Sequence, residues 1–237
     1  MVGGVFGKKK ILCVIPARGG SKRIKNKNII KFQNKPLIYW TIKAAKKSKY
    51  IDKIVVSTDS PKIKEQSEKF GVKIPFLRKF SKDDKSSVHQ ATLEAISQTE
   101  SFYGKYDTVI QLMPNCPLRT NKHCEDALKF FFKNKNKSSI SFFKYEWMNP
   151  WWAHRWKGKK FQNLFKNTVF QRSQDLPELF CPTGAVWISD INRLKKYKTF
   201  YSPNYKPFMM DMFSAIDIDT IEDLKLANIF FKEKNKS

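Results

Sequence analysis

The sequence predicts an α/β fold built on a mostly parallel sheet, and three observations carry that prediction. Ile11–Ile15 is an unbroken apolar run, with Val14 and Ile15 β-branched, and reads as a strand buried on both faces. Strand-type and helix-type stretches then alternate along the chain, the order that gives parallel strands joined by right-handed crossovers. The length, 237 residues, suits one such domain with a sizeable core plus an insertion.

Met1–Lys10 reads as a loose basic tail. The first strand runs into Pro16-Ala17-Arg18-Gly19-Gly20-Ser21-Lys22-Arg23. A buried strand feeding a glycine turn crowded with cations either cradles an anion on its backbone N–H groups or is a solvated basic turn. Neither GxxxxGK[ST] nor GxGxxG is present. Pro36 opens a helix whose stripe is Leu37, Trp40 and Ala44 with Ile38, Ile42 and Ala45 adjacent. Ile54-Val55-Val56 centres a second strand, Ser60-Pro61 starts the next helix, and Gly71 suits its C-terminal cap. Val72-Lys73-Ile74 reads as a short strand. Ser86 or Ser87 caps a helix to about Thr99.

Tyr106–Leu112 is the next buried strand. It ends in Met113-Pro114-Asn115-Cys116-Pro117-Leu118-Arg119-Thr120, a loop at the carboxyl edge of the sheet, where open α/β sheets take their ligands. Asn121 is read as the cap of a helix to about Lys133, and Ser139–Tyr145 as another strand. Four of the six tryptophans then fall within Trp147–Trp156; aromatics this dense form either an interface or a stacking surface for a ligand. Pro182–Ile188 returns to a strand.

Asp217 and Asp219 are two apart, so in an extended strand both carboxylates leave one face while Ile216 and Ile218 turn to the core. Two carboxylates on one face repel unless a cation lies between them. The pair is therefore either a Mg²⁺ seat of hard oxygens or an exposed strand edge whose Asp219 caps the next helix.

Composition narrows the rest. Hydrophobic residues make up 41% and aromatics 14%, a folding chain. No apolar run approaches the roughly 20 residues that span a bilayer, and Val2–Gly7 is too short for a signal-peptide core. Cys13, Cys116, Cys124 and Cys181 are scattered, form no CxxC and fit a reducing compartment, so the chain is expected to be cytoplasmic. The net charge of +25 comes from lysines spread along the whole chain with no nucleic-acid-binding pattern beside them. Its expected consequence is a field that favours a polyanionic substrate, with no nucleic-acid or membrane partner.

The string Pro16–Arg23 followed by Lys27-Asn28-Ile29 resembles the signature of nucleotide-sugar cytidylyltransferases, in particular the CMP-acylneuraminate synthetases. Pro114, Pro117, Leu118, Arg119 and Thr120 match a second family string, Arg172–Pro177 a third, and Asp217-Ile218-Asp219 a fourth; the likeness spans Ile11 to about Phe230. It implies a three-layer α/β/α, Rossmann-like mixed sheet of the nucleotide-diphospho-sugar transferase type. Residues 11–144 and 184–237 would form the nucleotide-binding catalytic domain. Residues 145–183 would be an excursion that packs on a second subunit and closes over that subunit's sugar site, giving a homodimer.

The implied activity joins CTP to a nonulosonic (sialic-acid-like) sugar acid with release of pyrophosphate. The resemblance implies nucleotide contacts from Ala17, Arg18, Gly19, Gly20, Ser21, Lys22, Lys27, Asn28, Arg78 and Ser87. It implies sugar contacts from Gln111, Asn115, Arg172, Trp187, Phe200 and Tyr201, and Mg²⁺ on Asp217 and Asp219. Arg18, Lys27, Asp217 and Asp219 would carry catalysis. The chain departs from the family pattern at Met113, where a sugar-associated Gln is usual, and at Trp152, where some members carry Lys. Gln111, two residues back, is expected on the face of Met113 as a substitute. Alternatives are a synthetase for the eight-carbon acid Kdo, a catalytically inactive nucleotide-binding homologue, and a polyanion-binding module.

Overall fold

The structure, a computed structural model, describes residue 7 and residues 9–80, 86–135 and 137–234. In chain order its elements are β1 (Ile11–Pro16), a two-residue hairpin β2 (Lys31–Phe32) and β3 (Lys35–Pro36), α1 (Leu37–Lys47), β4 (Lys53–Ser57), α2 (Pro61–Lys69), α3 (Val88–Tyr103), β5 (Thr108–Gln111) and α4 (Asn121–Lys133). There follow β6 (Ser138–Lys144), a hairpin β7 (His154–Lys157) and β8 (Lys160–Asn163), β9 (Phe180–Asp190), α5 (Ile191–Tyr197), β10 (Lys206–Met209) and α6 (Ile221–Lys234).

Six strands make one sheet in the order β10-β6-β9-β5-β1-β4. β1 pairs in parallel with both β4 and β5, and β10 with β6. Only β9 runs against its neighbours, so the sheet is mixed but mostly parallel. β1 explains the layering. Its alternate residues Ile11, Cys13 and Ile15 pack with α1, α2 and α4, while Leu12 and Val14 pack with α3 and α5. A strand with helices on both faces has no polar side to show, hence its continuous apolar run. A smaller cluster, with Ile24, Leu118 and Ile218, lies under α6.

Local chemistry sets the helix ends. Ser60 accepts from the N–H of Ile63 beside Pro61, and Gly71 sits at φ +78° just past α2. Ser87 and Gln90 form a reciprocal capping box on α3. On α4 the cap is Thr120, not Asn121: the Thr120 N–H donates to Nδ1 of His123 (3.1 Å), and Asn121 is the first helical residue.

Three expectations are corrected. Lys9 and Lys10 are not a loose tail, since both are tied to Asp107; Met1–Phe6 and Lys8 lie outside the described residues, as do Ser81–Lys85. Val72–Ile74 is not a strand. Its two apolar side chains plug the core, but Val72 N–H bonds back to Ser67 O and Ile74 N–H to the Glu68 carboxylate, so no ladder forms. Asp217–Asp219 also lies outside any ladder, held instead by Ile218 N–H on Asn115 O (2.9 Å). No described helix is long and apolar enough to cross a membrane.

Candidate active site

β1 lies between β5 and the edge strand β4, and the glycine turn leaves from its carboxyl end. Ala17 N–H bonds to Ser57 O at the end of β4 (2.8 Å), which starts the turn in a fixed direction. Gly19 N–H donates to Asp59 Oδ1 (2.8 Å), and a Cβ at Gly19 would stand 3.0 Å from Cβ of Ser60. The glycine there answers a close approach to the neighbouring loop. The turn returns through Asn26, left-handed at φ 54°, into a short 3₁₀ turn Lys27–Ile29. Buried Asn28 ties the two limbs together, donating from Nδ2 to Arg18 O (2.8 Å).

The opposite wall is built from two segments that clip each other. Ile218 N–H bonds to Asn115 O, and Asn115 Nδ2 reaches Ile218 O and Asp219 Oδ1, both at 3.4 Å. Asp219 and Thr220 are fixed from behind by Asp223, whose Oδ2 accepts both their N–H groups. Between the walls lies a cleft of about 490 Å³. Arg18, Ser21, Lys22, Arg23, Lys27 and Asn28 line one side; Pro114, Asn115, Asp217 and Asp219 line the other. The cationic turn and the twin carboxylates thus face each other, although neither Asp is in a strand. Ile216 and Ile218 do turn to the core under α6.

The two carboxylates sit in opposite fields. Asp219 is met on both oxygens, by Lys27 Nζ and Arg23 Nη2, each at 2.5 Å. Its burial would raise the carboxyl, but the hydrogen bond and charge of Lys27 and then Arg23 hold it below the usual carboxylate range. Asp217 is exposed on the side that lines the cleft, with protein crowded on its other side. That crowding first, and the charge of Asp219 second, push it up to about 6. A carboxylate in that position favours an incoming cation. Asn115 Oδ1, buried and without a hydrogen-bond partner, adds a third hard oxygen on the same wall. Among the described residues no three His, Cys, Asp or Glu cluster tightly enough to hold an ion alone. Two carboxylates and an amide oxygen, to be completed by substrate phosphates, fit the donor chemistry of Mg²⁺.

Other expected site residues lie outside this cleft. Gly20 is exposed on the turn, and Ala17 is buried behind it. Arg78 is buried behind the turn, donating from Nε to Ser57 Oγ (3.1 Å) and from Nη2 to Ser57 O (2.6 Å). Burial depresses its pKa, and Asp59 and Glu94 offset that. It braces the end of β4. Ser87 is spent on the α3 cap.

Gln111 does not share a face with Met113. Its Oε1 accepts from Thr92 of α3 (2.6 Å), in the other layer from Met113, which packs against the α1 side and Gly184. Alternation stops because β5 ends at Gln111. Gln111, Trp187, Phe200 and Tyr201 nevertheless converge. Trp187 pairs with Gln111 across the β5–β9 ladder and packs against Phe200 and Tyr201. Phe200 is fully buried, and Tyr201 is open at 40% exposure. Arg172 stands on the excursion, largely exposed and paired with Asp175 (3.4 Å).

The structure adds residues that sequence reasoning passed over. Arg23 was inside the basic string, and its partner Asp219 lies 196 positions away, which no local pattern reveals. His89 stacks on Trp187, with ring centroids 5.3 Å apart. Asp223 was signalled by the Thr220-x-x-Asp223 spacing of a capping box. Cys13, Cys116 and Cys124 are poor nucleophiles, because burial raises their thiols.

Residues 12–235 match the family described as Cytidylyltransferase. A pseudaminic acid cytidylyltransferase of Campylobacter jejuni is 33% identical over 96% of this chain and 99% of its own length. A CMP-N,N'-diacetyllegionaminic acid synthase of Legionella pneumophila is 34% identical over 92% of this chain and 94% of its own. Among solved structures, a CMP:2-keto-3-deoxy-manno-octonic acid synthetase complexed with CTP superposes with a TM-score of 0.71. Its identity is 16%, with 95% of this chain and 100% of that one covered, so the likeness is one of fold.

Proposed function

The chain belongs to the cytidylyltransferase family, and on that premise we propose that it joins CTP to a nonulosonic acid, a nine-carbon 2-keto-3-deoxy sugar acid, giving a CMP-sugar and pyrophosphate. The observation that carries this reading is the single cleft in which a cationic glycine turn faces two carboxylates. The sugar's anomeric hydroxyl oxygen forms a bond to the α-phosphorus of CTP. The bond from that phosphorus to the bridging oxygen breaks, pyrophosphate leaves on the basic turn, and the hydroxyl proton passes to solvent. Such chemistry asks for positioning and charge neutralisation, not a covalent nucleophile.

Arg18, Ser21, Lys22 and Lys27 are placed to hold the triphosphate, and Asn28 keeps the turn closed around it. Asp217 and Asp219, with Asn115 Oδ1 beside them, would hold Mg²⁺, which when bound neutralises phosphate oxygens and polarises the attacking hydroxyl. Lys27 and Arg23 grip Asp219 in the free chain. The phosphates compete for those cations and leave Asp219 free to ligate.

The sugar side is the aromatic group of Trp187, Phe200 and Tyr201 with Gln111. Arg172 reaches the sugar carboxylate of a neighbouring subunit, where its planar fork pairs bidentately. That role requires a homodimer, and the excursion supports one. Trp147, Trp156, Phe161 and Phe170 are 60–89% exposed on it, a concentration of aromatics suited to an interface. The assignment includes a cytoplasmic location.

The decisive experiment is pyrophosphate release with CTP against the other three nucleotides, over pseudaminic, legionaminic, N-acetylneuraminic and Kdo acids. Release with CTP and a nine-carbon acid is expected. Turnover with Kdo alone overturns the nonulosonic assignment, and no release with any acid points to an inactive homologue.

A further inference from the structure

The loop that gives Pro114 and Asn115 to the cleft gives Pro117, Leu118 and Arg119 to a second cavity of about 440 Å³. Its other walls are α1, the end of α6 and the start of α4. Four cations line it, Lys43, Lys47, Arg119 and Lys234, and no carboxylate does. The nearby acids of α4 are engaged elsewhere, Glu125 with the N–H of Lys49 and Asp126 with Lys122 and Lys129.

Arg119 makes this more than a patch of surface lysines. It is 2% exposed. Its Nη1 donates to Met113 O (3.1 Å) and Ala185 O (2.9 Å), and its Nη2 to Thr41 Oγ1 (2.5 Å). Nε has no hydrogen-bond partner. Every acceptor of this buried guanidinium among the described residues is a neutral oxygen. A buried charge so placed is costly unless an anion lies within its field. The N-terminal end of α4, at Thr120 and Asn121, adds a favourable dipole on the same wall.

The shape of the wall selects the anion. The ring of Trp40 is taken up by Lys43, 5.0 Å above it, and by edge contacts with Phe32, Tyr39 and Phe231. It offers charge but no open face for a base. Two tethers run from the cavity to the cleft. Arg119 holds the carbonyl of Met113, which lines the cleft. Lys234 Nζ donates to Ser214 Oγ (2.8 Å), three residues before Asp217.

We propose that this cavity is a second, regulatory anion site that takes a compact phosphate oxyanion, phosphate or pyrophosphate, and that its occupancy alters the cleft through Arg119 and Lys234. Binding is measured by calorimetry on the full chain, without divalent metal. Pyrophosphate and phosphate are titrated separately into the wild type, into K43Q/K47Q and into the cleft variant R18Q/K22Q, and pyrophosphate is titrated again with CTP present. Two saturable pyrophosphate sites are expected in the wild type. K43Q/K47Q should lose one of them, R18Q/K22Q the other, and CTP should displace pyrophosphate only from the site that R18Q/K22Q removes. A single site that disappears in R18Q/K22Q overturns the proposal. So does weak, unsaturable binding that K43Q/K47Q leaves unchanged, or CTP competing at both sites. The coupling is read from initial rates: added phosphate should shift the wild-type KM for CTP by more than the competitive shift that K43Q/K47Q retains through its intact cleft, and an equal shift in both overturns it. The binding arm needs no turnover, so it stands or falls apart from the assigned reaction.

Discussion

The cleft and the aromatic excursion are built on opposite terms. In the cleft several polar groups already have partners in the same chain: Asn28 on Arg18, Asn115 on Ile218, Lys27 and Arg23 on Asp219. In the excursion the polar groups are also satisfied, with Trp152 Nε1 on Thr168 O (3.1 Å) and Trp151 Nε1 on Pro177 O (2.8 Å). Its apolar surface is not. Phe170 is 89% exposed, Trp147 75% and Trp156 70%, and each large aromatic left in water forgoes roughly 2 kcal/mol of burial. A region that has satisfied its hydrogen bonds and not its hydrophobic surface is shaped to meet something. The cleft's polar lining suits charged substrates; the excursion's bare rings are the surface that the proposed dimer would cover.

The largest test of that contrast is at the carboxylates. Asp217→Ala and Asp219→Ala should each lower turnover by about a thousandfold, roughly 4 kcal/mol of transition-state stabilisation. Circular dichroism and the unfolding midpoint should stay near those of the wild type, because neither side chain packs in the core. Retention of most activity by either variant would remove Asp217 and Asp219 from the chemistry.

The excursion should answer to association instead. The double variant Trp156→Ser, Phe161→Ser takes away two exposed rings that pack on each other at 5.0 Å. In sedimentation runs the expected loss is about 2 kcal/mol of dimerisation, some thirtyfold in the dissociation constant. A wild type that sediments as a monomer breaks the comparison outright. A finer cut is complementation. Arg172→Ala should raise KM for the sugar acid about tenfold, the worth of one bidentate contact, with CTP binding unchanged. Mixed with Asp217→Ala chains, it should regain turnover at the wild-type KM for the sugar acid, which neither shows alone, since one site of the hybrid then has both residues intact. No recovery after chain exchange would place Arg172 and the cleft in separate functions.

What the sequence disclosed follows the same division. β1 and the glycine turn were legible because a doubly buried strand and its loop are written in consecutive residues. The Asp217–Asp219 pair was legible as a pair, and its facing was right, but the expected ladder was absent: Asn115, a hundred residues earlier, supplies the backbone bond that a strand neighbour would have supplied. Val72 and Ile74 misled because two buried apolar residues two apart look alike in a strand and in a loop that plugs a core. Arg78 and Ser87, nucleotide contacts by resemblance, also brace β4 and cap α3, structural duties that only the folded chain reveals. Gln111 and Met113 parted because the strand stopped between them. The pairing of Arg23 with Asp219 and the place of His89 against Trp187 are long-range facts that no local period encodes.

The smallest expected effect lies on the cleft side of the comparison, at the helix that follows the cleft loop. His123 Nδ1 accepts the Thr120 N–H, which it can do only as the neutral ring. Burial lowers its pKa, Lys234 and Arg119 push the same way, and Asp211, 4.0 Å from Nε2, and Asp126 push back. The folded value therefore lies below the unfolded value of about 6.5. Between the two, the unfolded chain binds the extra proton, so stability is fully present above pH 6.5 and is lost as pH falls through the folded value. His123→Gln keeps an acceptor for the Thr120 N–H, since Gln serves at that position of a capping box, and removes the titration. Urea midpoints taken from pH 7.5 down to pH 5 should fall less steeply for His123→Gln than for the wild type. Equal slopes would mean that the cap survives protonation and that the acid sensitivity of the fold arises elsewhere. A steeper fall in the variant would mean that the charged ring is stabilised by Asp211 and Asp126 more than burial and the neighbouring cations oppose it.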